Sequence, residues 1–213
     1  MKSLAIVGAG HLGQQIAHYA IADGHYSKVF FFDDFTKKTE VNGIEILGGL
    51  DKVLEFSKSK IFDEILVGIG YKHIEKRKMI YDFLCENEIV FGEIIHSSSW
   101  VDPSAIIQKG VVIYPDCSID AQVVIKNNCV LNIGSVVAHD SVIGSHCFLS
   151  PRVAIAGFVD IGEMCIVGIN ATIIDNVKIC DKVQFGGGTV VIKSIEKEGL
   201  YVGNPHRFVR KFS

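Results

Sequence analysis

The chain has 213 residues, of which 48% are hydrophobic, enough to build a packed core. Its 21 Lys and Arg residues and 24 Asp and Glu residues give a net charge of −3, without a basic tract that would follow a polyanion. The apolar start "MKSLAIVGAGHLG" is soon interrupted by glycines, which is typical of a buried strand and not of a signal peptide. We therefore predict a cytoplasmic protein with neither a nucleic-acid nor a membrane partner.

Residues 1–95 alternate strand-like and helix-like segments. The predicted strands are "SLAIVGAG", "KVFFFDD" and "EILVGIG", and the predicted helices are "HLGQQIAHYAIADG" and "HIEKRKMIYDFLCENEI". This alternation predicts a small α/β domain with a parallel sheet. The segment "HSSSW" (96–100) is predicted to join it to the next domain.

A glycine motif lies between the first strand and the first helix. Gly8, Gly10 and Gly13 form GxGxxG, which lets a phosphate approach the backbone and the helix N-terminus. Asp33 and Asp34 end the second strand, where a carboxylate commonly meets a ribose or a base. The alternative is that the glycines only pack helix on strand and the aspartates only cap. About 95 residues cannot supply both halves of a dinucleotide fold, so a nucleotide attached to another group fits better than NAD.

From Val101 onward the chain repeats every six residues. Fifteen consecutive blocks, through Val190, open with a large apolar residue and carry a small or β-branched residue at the fifth position. The openers are Val101, Ile107, Ile113, Ile119, Ile125, Leu131, Val137, Ile143, Leu149, Ile155, Ile161, Val167, Ile173, Ile179 and Phe185. This period predicts a parallel β-helix of about five coils, with three short strands per 18-residue coil and coils stacked about 4.8 Å apart.

The same frame assigns roles to cysteines and prolines. The six cysteines include no CxxC pair and no zinc-type histidine grouping. Four of them occupy the small fifth position, which indicates a structural role: Cys117, Cys129, Cys147 and Cys165. The third position contains Pro103, Pro115 and Pro151, and it is predicted to be a corner where an N–H is least needed.

One corner of the predicted β-helix has residues suited to catalysis. His139 and Asp140 are third and fourth in their block, so they should point outward, and Gly157 lies one coil along from His139. A histidine is a natural general base near neutral pH, and a neighbouring carboxylate can orient it. The N–H of Gly157 could donate to a developing oxyanion. The alternative is a solvated turn histidine beside a turn-forming aspartate.

Taken together, these segments resemble bacterial sugar acyltransferases, in particular the group of sialic-acid O-acetyltransferases and UDP-4-amino-sugar N-acetyltransferases. The resemblance rests on "GAGHLG", "FFFDD", "LNIGSVVAHDSVIG", "VAIAGFVDIG", "VGINATI", "FGGGTVV" and "LYVGNPHRF". It implies a Rossmann-like sugar-nucleotide-binding domain over 1–95, a left-handed β-helix acetyltransferase domain over 96–190 and a tail over 191–213. It also implies a homotrimer that binds acetyl-CoA between adjacent β-helices and needs no metal.

The resemblance also implies roles for individual residues. His139 matches the base that acts on the sugar amine, Asp140 its acidic neighbour, and Gly157 the backbone donor to the thioester carbonyl. Asn132 matches an active-site asparagine. Backbone at Gly168 and at Gly186, Gly187 and Gly188 would line the pantetheine path, and the pair at 206–207 would lie near the distal end of CoA. The sugar nucleotide would bind at Gly8, Gly10, His11, Gly13, Asp33 and Asp34.

Two departures from the family leave the sugar open. Phe148 stands where some relatives have a second histidine, and His146 belongs to a different corner. His11 follows the second glycine of the front motif, where relatives often have a further glycine. Neither the base of the nucleotide, uridine or guanosine, nor the sugar's stereochemistry follows from the sequence.

The predicted function is an acetyl-CoA-dependent N-acetyltransferase that acts on a nucleotide-linked amino sugar. The first alternative is an O-acetyltransferase acting on sialic acid or a related sugar hydroxyl. A second is a β-helix hydratase of the carbonic-anhydrase type, with His139 and His146 as metal ligands, although no third histidine lies at a suitable corner. A third is a sugar-nucleotide sensor without affinity for CoA.

Overall fold

The structure is a computed structural model that describes residues 2–212. The chain divides into two compact units, the first ending at Ile94 and the second beginning at Ile95. The first unit is α/β and the second is a left-handed parallel β-helix, as predicted from the sequence.

The front unit is built on a three-stranded parallel sheet of order β2–β1–β5. In chain order its elements are β1 (Ser3–Val7), α1 (His11–Ala22), β2 (Lys28–Phe32), β3 (Glu40–Val41), β4 (Ile44–Glu45), α2 (Val53–Lys58), β5 (Glu64–Val67) and α3 (Ile74–Glu86). The three long strands and both long helices were predicted. The short helix α2 and the antiparallel hairpin β3–β4 were not, because segments of two to six residues carry little periodicity.

Strand β1 is the centre of the front unit. It pairs in parallel with β2 on one side and with β5 on the other. Leu4, Ala5 and Ile6 are fully buried, which matches the continuous apolar run expected of a strand covered on both faces. Because parallel strands share one carboxyl edge, the residues that follow β1, β2 and β5 lie together at that edge.

The second unit consists mainly of two-residue strands, and the first of these begins at Ile94, the last residue of the front unit. In chain order they are β6 (Ile94–Ile95), β7 (Trp100–Val101), β8 (Ile106–Ile107), β9 (Val112–Ile113), β10 (Ser118–Ile119), β11 (Val124–Ile125), β12 (Val130–Leu131), β13 (Val136–Val137), β14 (Val142–Ile143), β15 (Phe148–Leu149), β16 (Ala154–Ile155), β17 (Asp160–Ile161), β18 (Ile166–Val167), β19 (Thr172–Ile173), β20 (Lys178–Ile179), β21 (Val183–Phe185), β22 (Val190–Val191), β23 (Gly199–Val202) and β24 (Arg207–Arg210).

These strands form three faces. One face has six strands, β7, β10, β13, β16, β19 and β22; the second has five, β8, β11, β14, β17 and β20; the third has eight, β6, β9, β12, β15, β18, β21, β23 and β24. Apart from the antiparallel β23–β24 pair, neighbours are parallel, and Val137 pairs with Ile119 and with Ile155, one coil away on either side. The faces continue before residue 101 and after residue 190, so the stack has one coil more than the five predicted.

The interior of the prism is filled as the six-residue frame predicts. The block openers from Ile113 to Phe185 are buried, as are the fifth-position cysteines. Those cysteines also donate a hydrogen bond: Cys129 Sγ lies 3.0 Å from the Gly144 carbonyl oxygen and Cys147 Sγ lies 3.1 Å from that of Gly162. Ser141 Oγ does the same to Ala156, at 3.0 Å. A small donor at this position therefore satisfies a carbonyl next to the corner.

The corners are tight turns with a fixed conformation. The fourth residue of a block adopts a positive φ at Gly110, Asp116, Gln122, Asn128, Gly134, Asp140, His146, Arg152, Phe158, Met164, Asn170, Asn176, Lys182 and Gly188. The third residue makes no ladder hydrogen bond through its N–H anywhere in residues 2–212, which explains why prolines fit there. Third and fourth side chains therefore project from the edges of the prism.

Candidate active site

His139 and Asp140 lie at the edge that follows the six-stranded face, directly after β13. His139 Nδ1 is 3.0 Å from Asp140 Oδ2, and the two side chains are 49% and 44% exposed. A carboxylate can only accept a hydrogen bond, so Nδ1 donates and the neutral ring carries its lone pair on Nε2. The arrangement presents a free, accessible basic nitrogen.

Gly157 lies directly against that imidazole. A Cβ on Gly157 would be 2.7 Å from His139 Cε1 and 2.9 Å from His139 Nε2, closer than real side chains approach. The Gly157 carbonyl accepts a hydrogen bond from the N–H of Asn176, whereas the N–H of Gly157 makes none within residues 2–212. The ring, the carboxylate and an unused backbone donor are thus brought together at one edge.

A further side chain contacts His139 that the sequence reasoning missed. The Phe158 ring lies edge-on to the imidazole, with centroids 5.1 Å apart and planes at 87°. Phe158 is 54% exposed and is the fourth residue of its block, one coil along from Asp140. The sequence signal that could have identified it is an aromatic residue, Phe158, at the fourth position of a block one coil after Asp140.

Asn132 is not brought to this edge within one chain. It follows β12 of the eight-stranded face, while His139 follows β13 of the six-stranded face, so the two lie at different edges. Asn132 is 7% exposed, and its Nδ2 donates to the Leu149 carbonyl oxygen at 3.3 Å. Its predicted catalytic role remains a prediction.

Gly168 and Gly186 share the edge of Asn132, two and three coils along from it. A Cβ on Gly168 would be 2.6 Å from the carbonyl carbon of Gly186, and one on Gly186 would be 2.9 Å from Val202 Cγ1. Backbone packing therefore explains both glycines. A Cβ on Gly187 would meet only the side chain of Ile169 within 3.0 Å. A role for these positions in lining the pantetheine path remains a prediction.

His206 is part of the packing near the C-terminus. It is 9% exposed, its Nδ1 accepts a hydrogen bond from the Ile192 N–H at 3.3 Å, and its ring lies edge-on to Tyr201. Burial, and to a lesser extent the charge of Lys193, lowers the pKa of His206. The ring is therefore mainly neutral near pH 7, while Arg207 is exposed at the start of β24.

The front unit has a cleft of about 350 Å³ at the carboxyl edge of its sheet. Its walls include the predicted residues Gly8, Asp33 and Asp34, together with His73 and Lys76 from the start of α3. The sequence reasoning did not single out the last two, although "YKHIEK" places several basic side chains at the start of that helix. The cleft combines carboxylates that can accept hydrogen bonds with cations that can pair with phosphate.

The three motif glycines have different roles. Gly8 has a φ of 105°, which favours glycine, and a Cβ on Gly13 would clash with the Gly8 carbonyl oxygen. These two serve the turn and the packing of α1. Gly10 has no atom within 4 Å of its Cβ position, and it precedes α1 without capping it through a side chain. The open space at Gly10 and the exposed His11 leave the helix N-terminus accessible.

Asp33 holds the loops of this edge together. Its carboxylate accepts backbone hydrogen bonds from Ala9, Phe35 and Thr36, at 2.8, 2.9 and 3.0 Å. Burial acts to raise the pKa of Asp33, but these three bonds outweigh it and hold the pKa below its ordinary value. Asp34 Oδ1 accepts from the Leu50 N–H at 2.8 Å. The capping alternative therefore accounts for Asp33, and Asp34 retains a second carboxylate oxygen toward the cleft.

Within residues 2–212, no three His, Cys, Asp or Glu side chains are grouped so that they could hold a metal ion. His146, the second ligand in the hydratase alternative, is 4% exposed, lies at another edge and contacts Asn128 Nδ2 through Nδ1 at 3.0 Å. Among the described helices, none is both long and apolar enough to span a membrane.

Comparisons with known proteins agree with this architecture. Residues 3–84 match the family model of the PglD N-terminal domain. The acetyltransferase domain of PglB from Neisseria gonorrhoeae is 29% identical, with a TM-score of 0.91 over 98% of this chain and 100% of that one. The same domain in complex with acetyl coenzyme A matches at 28% identity, with a TM-score of 0.89 over 98% of this chain and 99% of that one.

A third solved structure is PerB from Caulobacter crescentus in complex with CoA and GDP-perosamine. It is 25% identical, with a TM-score of 0.90 over 99% of this chain and 98% of that one. Each of the three structures matches this chain over at least 98% of both chains. Two of them are an acetyltransferase domain, and two contain CoA or acetyl coenzyme A. The chain is thus similar over nearly its whole length to an acetyltransferase domain, and the same domain has been solved in complex with acetyl coenzyme A.

Proposed function

We propose that the protein transfers the acetyl group of acetyl-CoA to the amine of a nucleotide-linked amino sugar, with His139 as general base. The observation that carries the proposal is the placement of His139 Nε2, free of Asp140, beside the unused N–H of Gly157. The CoA and GDP-perosamine held by PerB support both the co-substrate and the acceptor class.

The chemistry follows from this geometry. The neutral amine nitrogen attacks the thioester carbonyl carbon while Nε2 of His139 takes the proton that the amine loses. The Gly157 N–H donates a hydrogen bond to the carbonyl oxygen as negative charge develops on it. When the tetrahedral intermediate collapses, the carbon–sulfur bond breaks, the proton passes from His139 to the CoA thiolate, and the amide remains on the sugar. Asp140 stabilises the imidazolium between the two steps.

The nucleotide part of the acceptor is assigned to the cleft of the front unit. Lys76 offers charge to phosphates and His73 offers a ring N–H. The open backbone at Gly10 and His11 offers further N–H donors, and Asp34 offers an acceptor. Gly8, Gly13 and Asp33 shape the cleft by packing and hydrogen bonding. This division of roles explains why only part of the glycine motif faces open space.

A homotrimer is supported by the placement of the remaining predicted residues. Asn132, Gly168 and Gly186 lie at one edge of the prism and His139 and Gly157 at the next, so one chain cannot bring the two sets into one groove. In a closed ring of three copies, each edge of one copy faces the other edge of a neighbour. Acetyl-CoA would then bind between copies.

The test is release of free thiol from acetyl-CoA with a panel of UDP- and GDP-linked amino sugars, each paired with the matching hydroxyl sugar, and with sialic acid. We expect thiol release with an amino-sugar nucleotide, and a loss of about 100- to 10,000-fold in kcat for His139→Ala. His18→Ala is the matched control, because His18 is an exposed histidine on α1 that does not line the cleft of the front unit.

The outcomes separate the alternatives. Transfer to hydroxyl acceptors with the same dependence on His139 would indicate the O-acetyltransferase instead. Nucleotide binding without affinity for CoA would indicate a sensor. Undiminished activity of His139→Ala would remove the proposed base, and a monomer in light scattering with full activity would remove the trimer.

A further inference from the structure

Phe158 occupies a conformation that a bulky side chain disfavours. Its φ is 58°, in the left-handed region, where glycine, asparagine and aspartate are the common residues. The residues one coil before and after it in the same column are Asp140 and Asn176, both suited to that region. Yet Phe158 is 54% exposed, so burial in the core does not explain its side chain. The same φ recurs at fourth positions of other corners, Arg152 and Met164 included, so the corner imposes the conformation and leaves the choice of an aromatic side chain to be explained.

The Phe158 ring contacts the imidazole of His139 edge-on. Gly157 provides the floor under the imidazole but has no side chain to hold it, and Asp140 binds only Nδ1. The edge-on Phe158 ring, at 5.1 Å and 87°, is in the geometry that aromatic pairs prefer. The Phe158 N–H also donates to the His139 carbonyl oxygen at 3.1 Å, which fixes the two backbones together.

We propose that Phe158 is a positioning residue that holds the His139 imidazole over Gly157, with Nδ1 on Asp140 and Nε2 free. The expected effect of Phe158 on the rate of acetyl transfer rests on the proposed function, whereas its effect on the orientation of the His139 ring is independent of that function. An imidazole that is half exposed and held through one hydrogen bond can otherwise rotate about its side-chain torsions into solvent.

The test compares Phe158→Gly with Phe158→Tyr in the full-length protein. Glycine adopts the left-handed conformation without strain, so Phe158→Gly should fold with an undiminished melting temperature. Gln122→Gly is the matched control, because Gln122 is an exposed fourth-position residue of the same edge with a φ of 59°, two coils from Phe158.

Nitrogen-15 NMR of the histidine rings reports the orientation without any substrate. The His139 signals, assigned by their loss in His139→Asn, should show the Nδ1–H tautomer in the wild type and in Phe158→Tyr. In Phe158→Gly they should move toward the Nε2–H tautomer that free imidazole favours. In the acetyl-transfer assay, Phe158→Gly should lose about 10- to 100-fold in kcat with an unchanged KM for acetyl-CoA. Phe158→Tyr and Gln122→Gly should stay within about twofold of the wild type.

Each outcome decides the proposal. An unchanged His139 tautomer in Phe158→Gly would overturn it, and so would a raised KM for the sugar nucleotide with unchanged kcat, since Phe158 would then contact the substrate. If the wild type transfers no acetyl group to any acceptor, the proposed function fails, but the NMR comparison still tests whether Phe158 positions His139.

Discussion

The imidazole of His139 occupies the space that a side chain on Gly157 would fill. The Cβ position of Gly157 is 2.7 Å from His139 Cε1 and 2.9 Å from Nε2. The absence of a side chain at residue 157 is therefore a condition for the observed orientation of the His139 ring, the proposed base. This relationship links two residues one full coil apart and underlies the first prediction.

Gly157→Ala should lose activity while keeping its fold. The added methyl group would displace the half-exposed imidazole from its contacts with Asp140 and Phe158, so kcat should fall by about 100-fold. Ala121, one coil before His139 in the same column, already has a Cβ, so this column accepts a methyl group. Steady-state kinetics and a thermal melt measure the two effects. Unchanged kcat in a folded variant would show that the observed ring position is not needed.

Asp140→Asn should reduce activity by about 10- to 100-fold. Asparagine tolerates the left-handed φ of 57° at this corner, so the turn should persist. The variant removes the negative charge that stabilises the imidazolium, and its amide can donate to Nδ1 and favour the wrong tautomer. Activity equal to the wild type, with His139 still required, would contradict an orienting role for the carboxylate.

Gly168→Ala should destabilise the β-helix by about 1–3 kcal/mol. Its Cβ would meet backbone atoms of Gly186 at 2.6 and 2.7 Å, and backbone of a neighbouring coil cannot move without disturbing the ladder. Gly187→Ala is the comparison, because its Cβ would meet the flexible Ile169 side chain at 3.0 Å, and it should cost less than about 1 kcal/mol. Urea unfolding of both variants measures the difference. Equal stability of the two would show that the coils adjust freely.

The cysteines should differ sharply in reactivity. Cys85 is exposed, whereas Cys129, Cys147 and Cys165 are buried in a column at the fifth position. A chromogenic disulfide reagent at pH 8 should therefore modify Cys85 rapidly in the native protein and the buried thiols only after unfolding. Cys85→Ser should remove the rapid phase of Cys85 and leave at most the reaction of the half-buried Cys180. A rapid phase that survives the double variant Cys85→Ser, Cys180→Ser would mean that the prism opens readily.

The buried column also predicts a pH dependence of stability. Burial, followed by hydrogen bonds to Cys129 and Cys165, raises the pKa of the Cys147 thiol. A raised folded pKa means a contribution that is fully present below the unfolded thiol's pKa of about 8.5. That contribution is lost as the pH rises from there through the folded pKa. The free energy of unfolding, measured in urea, should decrease as the pH rises from 7 to 10. In Cys147→Ala this decrease, counted from the variant's own value at pH 7, should be smaller than in the wild type.

Much of the candidate site could be predicted because the β-helix is periodic. A repeat of six places His139, Gly157 and Asp175 in one column before any coordinate is known. The hydrogen-bond register then recurs from coil to coil. The front unit is less regular. The cleft contributions of His73 and Lys76 were missed because they come from a helix start whose position depends on packing against the sheet.

The sequence alone determined the backbone frame of this protein. A repeat of apolar first residues and small fifth residues buries its side chains when the chain coils into a three-sided β-helix. A glycine motif directly after a buried strand predicts a strand–turn–helix unit. Only the tertiary structure decided what each side chain contacts. In the folded chain both carboxylate oxygens of Asp33 accept hydrogen bonds from backbone N–H groups, and the Phe158 ring packs against His139. Gly13 is needed for close packing, whereas Gly10 borders open space. The reason is that backbone register follows from a local repeat, whereas a side chain's partners are set by segments that meet only after folding.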